Sequence, residues 1–265
     1  MTSRSAAFFD VDNTIIRGAS SYHLARELHR RRMVRRRDIA YFAAHAFYYF
    51  VFGENKQHIE RVRARALSMI RGHSVAEMIA IADEVYEQVL AHRIFPGARE
   101  LIDQHLAAGD QVWIVTAAPR EVGELVAHRL KLTGVLGTVA EHRDGVYTGH
   151  LVGDMMHGVH KAAAVRDIAE SEGLDLDQSA AYGDSSNDIP MLRAVGNPCA
   201  INPDPRLRLF AADIGWPVRD FRRRRRNVRG GLRTASQAGA VWAAATILRA
   251  LSRAVLRRVA RYRNR

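Results

Sequence analysis

Four short apolar runs, each ended abruptly by polar residues, punctuate the chain: AAFF at 6–9, VWIV at 112–115, AAY at 180–182 and a stretch near Pro198–Ile201. Runs of this length without alternation suit strands buried on both faces, because each side of the pleat then meets core. Between them the apolar spacing turns helical, over 98–108, 120–131 and 161–172. Strands alternating with helices predict an α/β fold, a right-handed, doubly wound parallel sheet. Ligands in such sheets gather at the carboxyl ends of the strands, where Asp10, Thr116 and Asp184 are expected to converge.

Two interruptions break this rhythm. Residues 18–93 are too long for an ordinary crossover and read as helices near 20–31, 38–52, 55–70 and 75–92. The last opens with Ser74 and Glu77 spaced as a capping box, and Pro96-Gly97 marks the return. This predicts a helical cap (18–93) over a core formed by 1–17 and 94–216, followed by a tail, 217–265. The smaller interruption, HRDGVYTGHLVG at 142–153, places Asp144-Gly145 between alternating segments and reads as a β-hairpin. Asp154 on its flank reads as a solvated acid.

Composition adds a class and a compartment. The 265 residues are 48% apolar, enough for one large or two small folded units. A single cysteine, Cys199, excludes an internal disulfide framework, and no basic-then-apolar leader is evident, so a reducing, cytoplasmic setting is expected. Net charge is +12, but residues 217–265 alone hold fifteen Arg and one acid, Asp220, or +14. The other 216 residues sum to −2, from 25 basic and 27 acidic side chains. A nearly neutral body with a basic appendage points to an anionic surface as partner.

Two segments indicate which surface. From Ile39 to Phe52 every position but His45 is apolar or aromatic, and Arg30, Arg31, Arg32, Arg35, Arg36 and Arg37 precede it. Fourteen residues are too few to span a bilayer, and arginine beside aromatics suits a membrane interface. The competing reading is cap core or a dimer contact. In the tail, Val241, Ala244, Leu248, Leu251, Val255, Val259 and Tyr262 form one stripe of a basic amphipathic helix, with Arg249, Arg253, Arg257 and Arg261 opposite. Arg222 to Arg226 form an uninterrupted run before a Gly230-Gly231 hinge. Peripheral binding at the inner face of a membrane through 30–52 and 222–262 is therefore favoured. Docking on the body is second, and nucleic acid is third for want of a reading motif.

The candidate chemistry starts with Asp10 and Asp12, two carboxylates spaced i,i+2 at the exit of a buried strand. Alone they could be a solvated turn; Thr116, Lys161 and the run from Gly183 to Asp188 give them company. The four ordered motifs DVDNT (10–14), VTAAP (115–119), VHKAAA (159–164) and GDSSNDIPML (183–192) resemble the haloacid dehalogenase-like superfamily. The insertion after the first motif resembles its phosphoserine phosphatase-like subfamily IB, and the likeness extends over about residues 6–215.

The resemblance implies a Rossmann-like core and a phosphomonoester phosphatase. Asp10 would be the nucleophile that becomes an aspartyl-phosphate, and Asp12 the acid and base. Mg²⁺ would be held by the Asp10 carboxylate, the Asp12 backbone carbonyl and Asp184, with Asp188 in support. Lys161 and Thr116 would meet the phosphoryl oxygens, with Asn187 nearby. In phosphoserine phosphatases an acid nine positions after the nucleophile meets the substrate amine; here that position is Ala19. Ser20 and Tyr22 are candidate substrate contacts instead, against an N-cap role for the serine and a half-buried place for the tyrosine. With the basic segments, the favoured substrate is a lipid phosphate of phosphatidylglycerophosphate or lysophosphatidate type. The alternatives are a soluble small-metabolite phosphatase and a non-enzymatic polyanion-binding protein.

Overall fold

The computed structural model describes residues 4–33 and 67–222, together with Arg37, Asp38, Tyr41 and Arg65. Strand β1 (Ala6–Phe9) is buried along its whole length. Its pleat sends Ala7 and Phe9 into one hydrophobic cluster and Ala6 and Phe8 into another on the opposite face. The same alternation recurs in β2 (Gln111–Pro119), where Val112 and Ile114 join the first cluster and Val115 the second. Phe8 and Phe9 are both fully buried, which stabilises the fold by roughly 1.5–3 kcal/mol each. Phe9 also stacks on Tyr182 with ring centroids 4.4 Å apart.

Helices close both faces. On the Phe9 side lie α2 (Val75–Val85), α3 (Pro96–Ala108) and α4 (Arg120–Leu130), with α1 (Ser20–Arg30) earlier in the chain. On the Phe8 side lie α5 (Val159–Glu172), α6 (Ile189–Leu192) and α7 (Pro205–Ile214). Between them runs a six-stranded parallel sheet ordered β3-β2-β1-β6-β7-β8, with β3 at Gly134–Thr138, β6 at Ala180–Gly183, β7 at Asn197–Ile201 and β8 at Val218–Arg219. This is the doubly wound α/β fold expected. The chain runs outward from β1 to β3 and resumes on the other side of β1 at β6, so the order reverses there and the strand ends open a crevice.

The hairpin also forms, as β4 (Ala140–Arg143) and β5 (Val146–Leu151). Asp144 and Gly145 both take left-handed backbone, φ 51° and 75°, the pair a two-residue primed turn requires. The Ser74–Glu77 capping box does not form: Ser74 is the N-cap of α2 without a side-chain bond. The Val75 amide, the first of the helix, donates to the Gly145 carbonyl of the hairpin at 2.8 Å, while Glu77 faces His73. The helix expected over 75–92 changes character at Tyr86, continuing as a π turn (Tyr86–Leu90) and a 3₁₀ turn (Ala91–Arg93).

Strand β3 had no forecast, because its two glycines dilute the apolar signal. Both are demanded by packing: a Cβ on Gly134 would lie 2.4 Å from the Trp113 ring, and one on Gly137 2.8 Å from the Arg120 backbone. Strand β8 draws on the stretch read as tail. Most of the helix expected over 38–52 and of that over 55–70, Arg223 to Arg226 and the stripe from Val241 to Tyr262 lie outside the described residues. Among the described residues no helix is long and apolar enough to cross a membrane.

Candidate active site

Asp10 is the first residue past β1, where its amide donates to the Tyr182 carbonyl of β6 at 2.9 Å. Past β6, Ser185 caps a 3₁₀ turn (Ser186–Asp188), and Asp188 completes a reciprocal capping box. One Asp188 oxygen accepts from the amides of Asp184 (3.2 Å) and Ser185 (3.1 Å) and from the Ser185 hydroxyl (3.1 Å). Gly183 makes this packing possible, since a Cβ there would lie 2.6 Å from that of Asp188. Lys161, on the first turn of α5, is buried, and its Nζ donates to Asp10 Oδ1 at 2.6 Å and to Asp188 Oδ1 at 2.7 Å. Asp10, Asp184 and Asp188 each offer an oxygen within 4.8 Å of the others.

Such crowding disfavours negative charge. Burial, Asp188 and Asp12 push the Asp10 carboxyl up to about 7 against the pull of Lys161. Burial, Asp10 and Asp188 push Asp184 up to about 9, opposed by Lys161 and Arg222. Burial opposes the charge on Lys161, yet Asp10 and Asp188 outweigh it and hold its ammonium above the ordinary range. Three carboxylates against one ammonium leave the cluster short of positive charge, and their hard oxygens suit a divalent cation of the Mg²⁺ or Ca²⁺ kind. The donor set therefore fits a metal.

Asp12 is not among the three carboxylates that lie within 4.8 Å of one another, though its charge bears on Asp10. Its Oδ1 accepts the Ser20 amide at 2.8 Å, at the start of α1. Burial raises its carboxyl, offset by Ser20, whose hydroxyl lies close enough to favour the charged form yet completes no hydrogen bond. Ala19, not a serine, is the N-cap of α1. Tyr22 is 59% exposed rather than half-buried, its ring edge-on to His23. His23 itself is buried beside Asp12, and burial with Arg93 and Arg26 lowers it from its ordinary value. Thr116 is buried on β2, its hydroxyl accepting the Ala118 amide at 3.1 Å. Asn187 sits on the 3₁₀ turn next to Asp188. Asp154 is exposed on the hairpin flank, 3.7 Å from His160.

A family model described as haloacid dehalogenase-like hydrolase matches residues 7–193. The chain belongs to the haloacid dehalogenase-like hydrolases. Within them it is similar to a protein of Mycobacterium tuberculosis named phosphoserine phosphatase SerB1, 47% identical over 245 residues, 92% of this chain and 80% of that one. A Bordetella pertussis crystal structure of unknown function superposes with a TM-score of 0.74 at 31% identity, covering 83% of this chain and 100% of that one. A substrate-bound phosphoserine phosphatase shares the fold, with a TM-score of 0.61 at 21% identity over 84% of this chain and 97% of that one. This haloacid dehalogenase-like hydrolase is an enzyme of the phosphatase type.

Asp204 and Asn202, in the hydrolase's site region, had no forecast, and Arg222, read only as part of a basic run, lies 3.8 Å from Asp184. Asp204 caps α7 through Leu207 N–H (2.7 Å), and its other oxygen takes the Ser186 amide (2.8 Å). Asp before Pro205 is an N-terminal helix signal that could have found it. Asn202 and Arg222 carry no such local signal; only the pairing of β7 with β8 brings them to this edge.

Proposed function

We propose that the protein is a Mg²⁺-dependent phosphomonoester phosphatase acting on a small phosphorylated metabolite through an aspartyl-phosphate on Asp10. The observation that carries this is the buried Lys161 ammonium bridging Asp10 and Asp188 at the ends of β1 and β6, with Asp184 beside them. Asp10, Asp184 and Asp188 would hold the cation, which when bound neutralises the repulsion between a carboxylate nucleophile and a phosphate dianion. Lys161 orients the Asp10 oxygen and supplies a fixed positive charge for the phosphoryl oxygens. Asp10 attacks phosphorus, and Asp12, whose carboxylate accepts the Ser20 amide, gives its proton to the departing alkoxide. Asp12 then takes a proton from the water that releases phosphate. The raised carboxyl of Asp12 suits this use as acid and base.

A small metabolite is preferred to the lipid phosphate favoured by composition alone. The name of the 47% identical relative refers to a small phosphomonoester, whereas the lipid reading rests on segments lying mostly outside the described residues. Ala19, where phosphoserine phosphatases carry an acid for the amine, leaves phosphoserine itself as one member of the panel rather than the presumed substrate. The test is Mg²⁺-dependent phosphate release from phosphoserine, sugar phosphates, lysophosphatidate and phosphatidylglycerophosphate, with Asp10→Asn as control. Release from the soluble esters supports the proposal, and release confined to the lipids restores the membrane reading. No release from any would remove the phosphatase reading for these classes.

A further inference from the structure

Asn202 follows β7, is fully buried, and takes left-handed backbone with φ 47°. Its amide group has two different ends. Oδ1 accepts the backbone amides of Phe221 at 2.6 Å and Arg222 at 3.2 Å, while Nδ2 donates to the Asn13 carbonyl at 2.7 Å. Two N–H donors at one end and a carbonyl at the other leave only one orientation of the amide. Asn13, the residue after Asp12, is itself left-handed at φ 59°, held by Ile16 through its amide and by Gly18 through its side chain.

We infer that Asn202 is a positioning residue for Asp12, and that residues 220–222 act through it as a strap that keeps the Asp12 loop in register. The inference rests on Asp12 being the acid and base of a phosphatase. The strap is built to stay in place. The Phe221 ring occupies the space beside Gly97, where a Cβ would lie 2.4 Å from it, and packs against Phe95. Asp220 accepts the Arg222 amide at 3.1 Å and pairs with Arg208 at 3.3 Å. Arg222 then reaches Asp184 at 3.8 Å, so the segment meets the Asp184 loop directly and the Asp12 loop through Asn202. Without the Nδ2 bond the Asn13 peptide can rotate, and Asp12, one residue earlier, turns with it. An aspartate here keeps the strap's acceptor but offers Asn13 an oxygen instead of a donor; a glutamine is too long.

The test is Asn202→Asp in the full chain with Mg²⁺, comparing an alkyl phosphate with p-nitrophenyl phosphate, whose leaving group departs without a proton. Misplaced general acid should lower kcat/KM roughly 30-fold for the alkyl ester and less than about 3-fold for the aryl ester. Equal losses on both, or none on either, would overturn the inference. Phe221→Ala, which loosens the strap and leaves Asn202 in place, should show the same split if Asn202→Asp fails to fold. Should the unmodified protein cleave neither ester, the phosphatase reading falls. The clamp is then judged by hydrogen exchange: amides 11–16 should exchange faster in Asn202→Asp while those of β2 do not, and unchanged exchange would refute it.

Discussion

Asp10→Asn should abolish phosphate release and at the same time stabilise the metal-free protein. Burial is the first reason the Asp10 carboxyl is held at about 7 against an ordinary 3.8, and neighbouring carboxylates add to it. The folded state thus holds this proton more tightly than the unfolded chain does. The contribution is complete below the ordinary carboxylate range and is lost as pH rises through 7. A rise of about 3 units at about 1.4 kcal/mol each makes the ionised group unfavourable by on the order of 4 kcal/mol above pH 8, and by roughly 1.5 kcal/mol at pH 5. Asparagine carries no charge and still offers Lys161 an acceptor. In a chelator at pH 8.5 the variant should melt roughly 8–16 °C above the parent, with less than about half that gap at pH 5. Thermal denaturation followed by circular dichroism at the two pH values measures it. An offset that does not change with pH would refute the view that Asp10 is strained by burial and its neighbours.

Lys161→Met leaves Asp10 and Asp188 buried without their cation, so the urea midpoint at pH 8 should fall by an equivalent of about 3–5 kcal/mol and partly recover at pH 5, where Asp10 is protonated. The chelated protein should lose stability between about pH 4 and 9, as the unfolded carboxyls ionise from about 3.8 upward while the folded state holds the Asp10 and Asp184 protons to about 7 and about 9. Mg²⁺ should restore that stability and release protons at pH 7, so the calorimetric binding heat depends on the buffer's ionisation enthalpy; a buffer-independent heat would contradict this. Gly183→Ala places a Cβ against Asp188 and should reduce phosphate release while destabilising by about 1–3 kcal/mol, seen as a lower melting temperature with native circular dichroism.

Strands buried on both faces were legible because they read as unbroken apolar runs, and AAFF at 6–9 lies residue for residue on β1. The same holds for helices that carry their own stop signs: α3 ends at Gly109, left-handed at φ 84°, where the apolar spacing stops. Elements that depend on a neighbour were not legible. Strand β3 has glycines because Trp113 and Arg120 press against it, and β8 is two residues recruited by β7. The Ser74–Glu77 spacing suits a capping box, yet in the fold Glu77 faces His73 and Ser74 bridges to Val146 of the hairpin.

The candidate site divides in the same way. Residue types and their order along the chain singled out Asp10, Asp12, Lys161, Asp184 and Asp188, because each lies in a short motif at the end of a strand or the head of a helix. Only the tertiary structure decided that Lys161 bridges two of the carboxylates, that the Ser20 amide holds the Asp12 carboxylate, and that Asn202 joins residue 13 to residues 221 and 222. These contacts span from 8 to 189 positions of chain. A buried amide or carboxylate takes whatever donor the sheet order places beside it, and that order is a property of the packed whole.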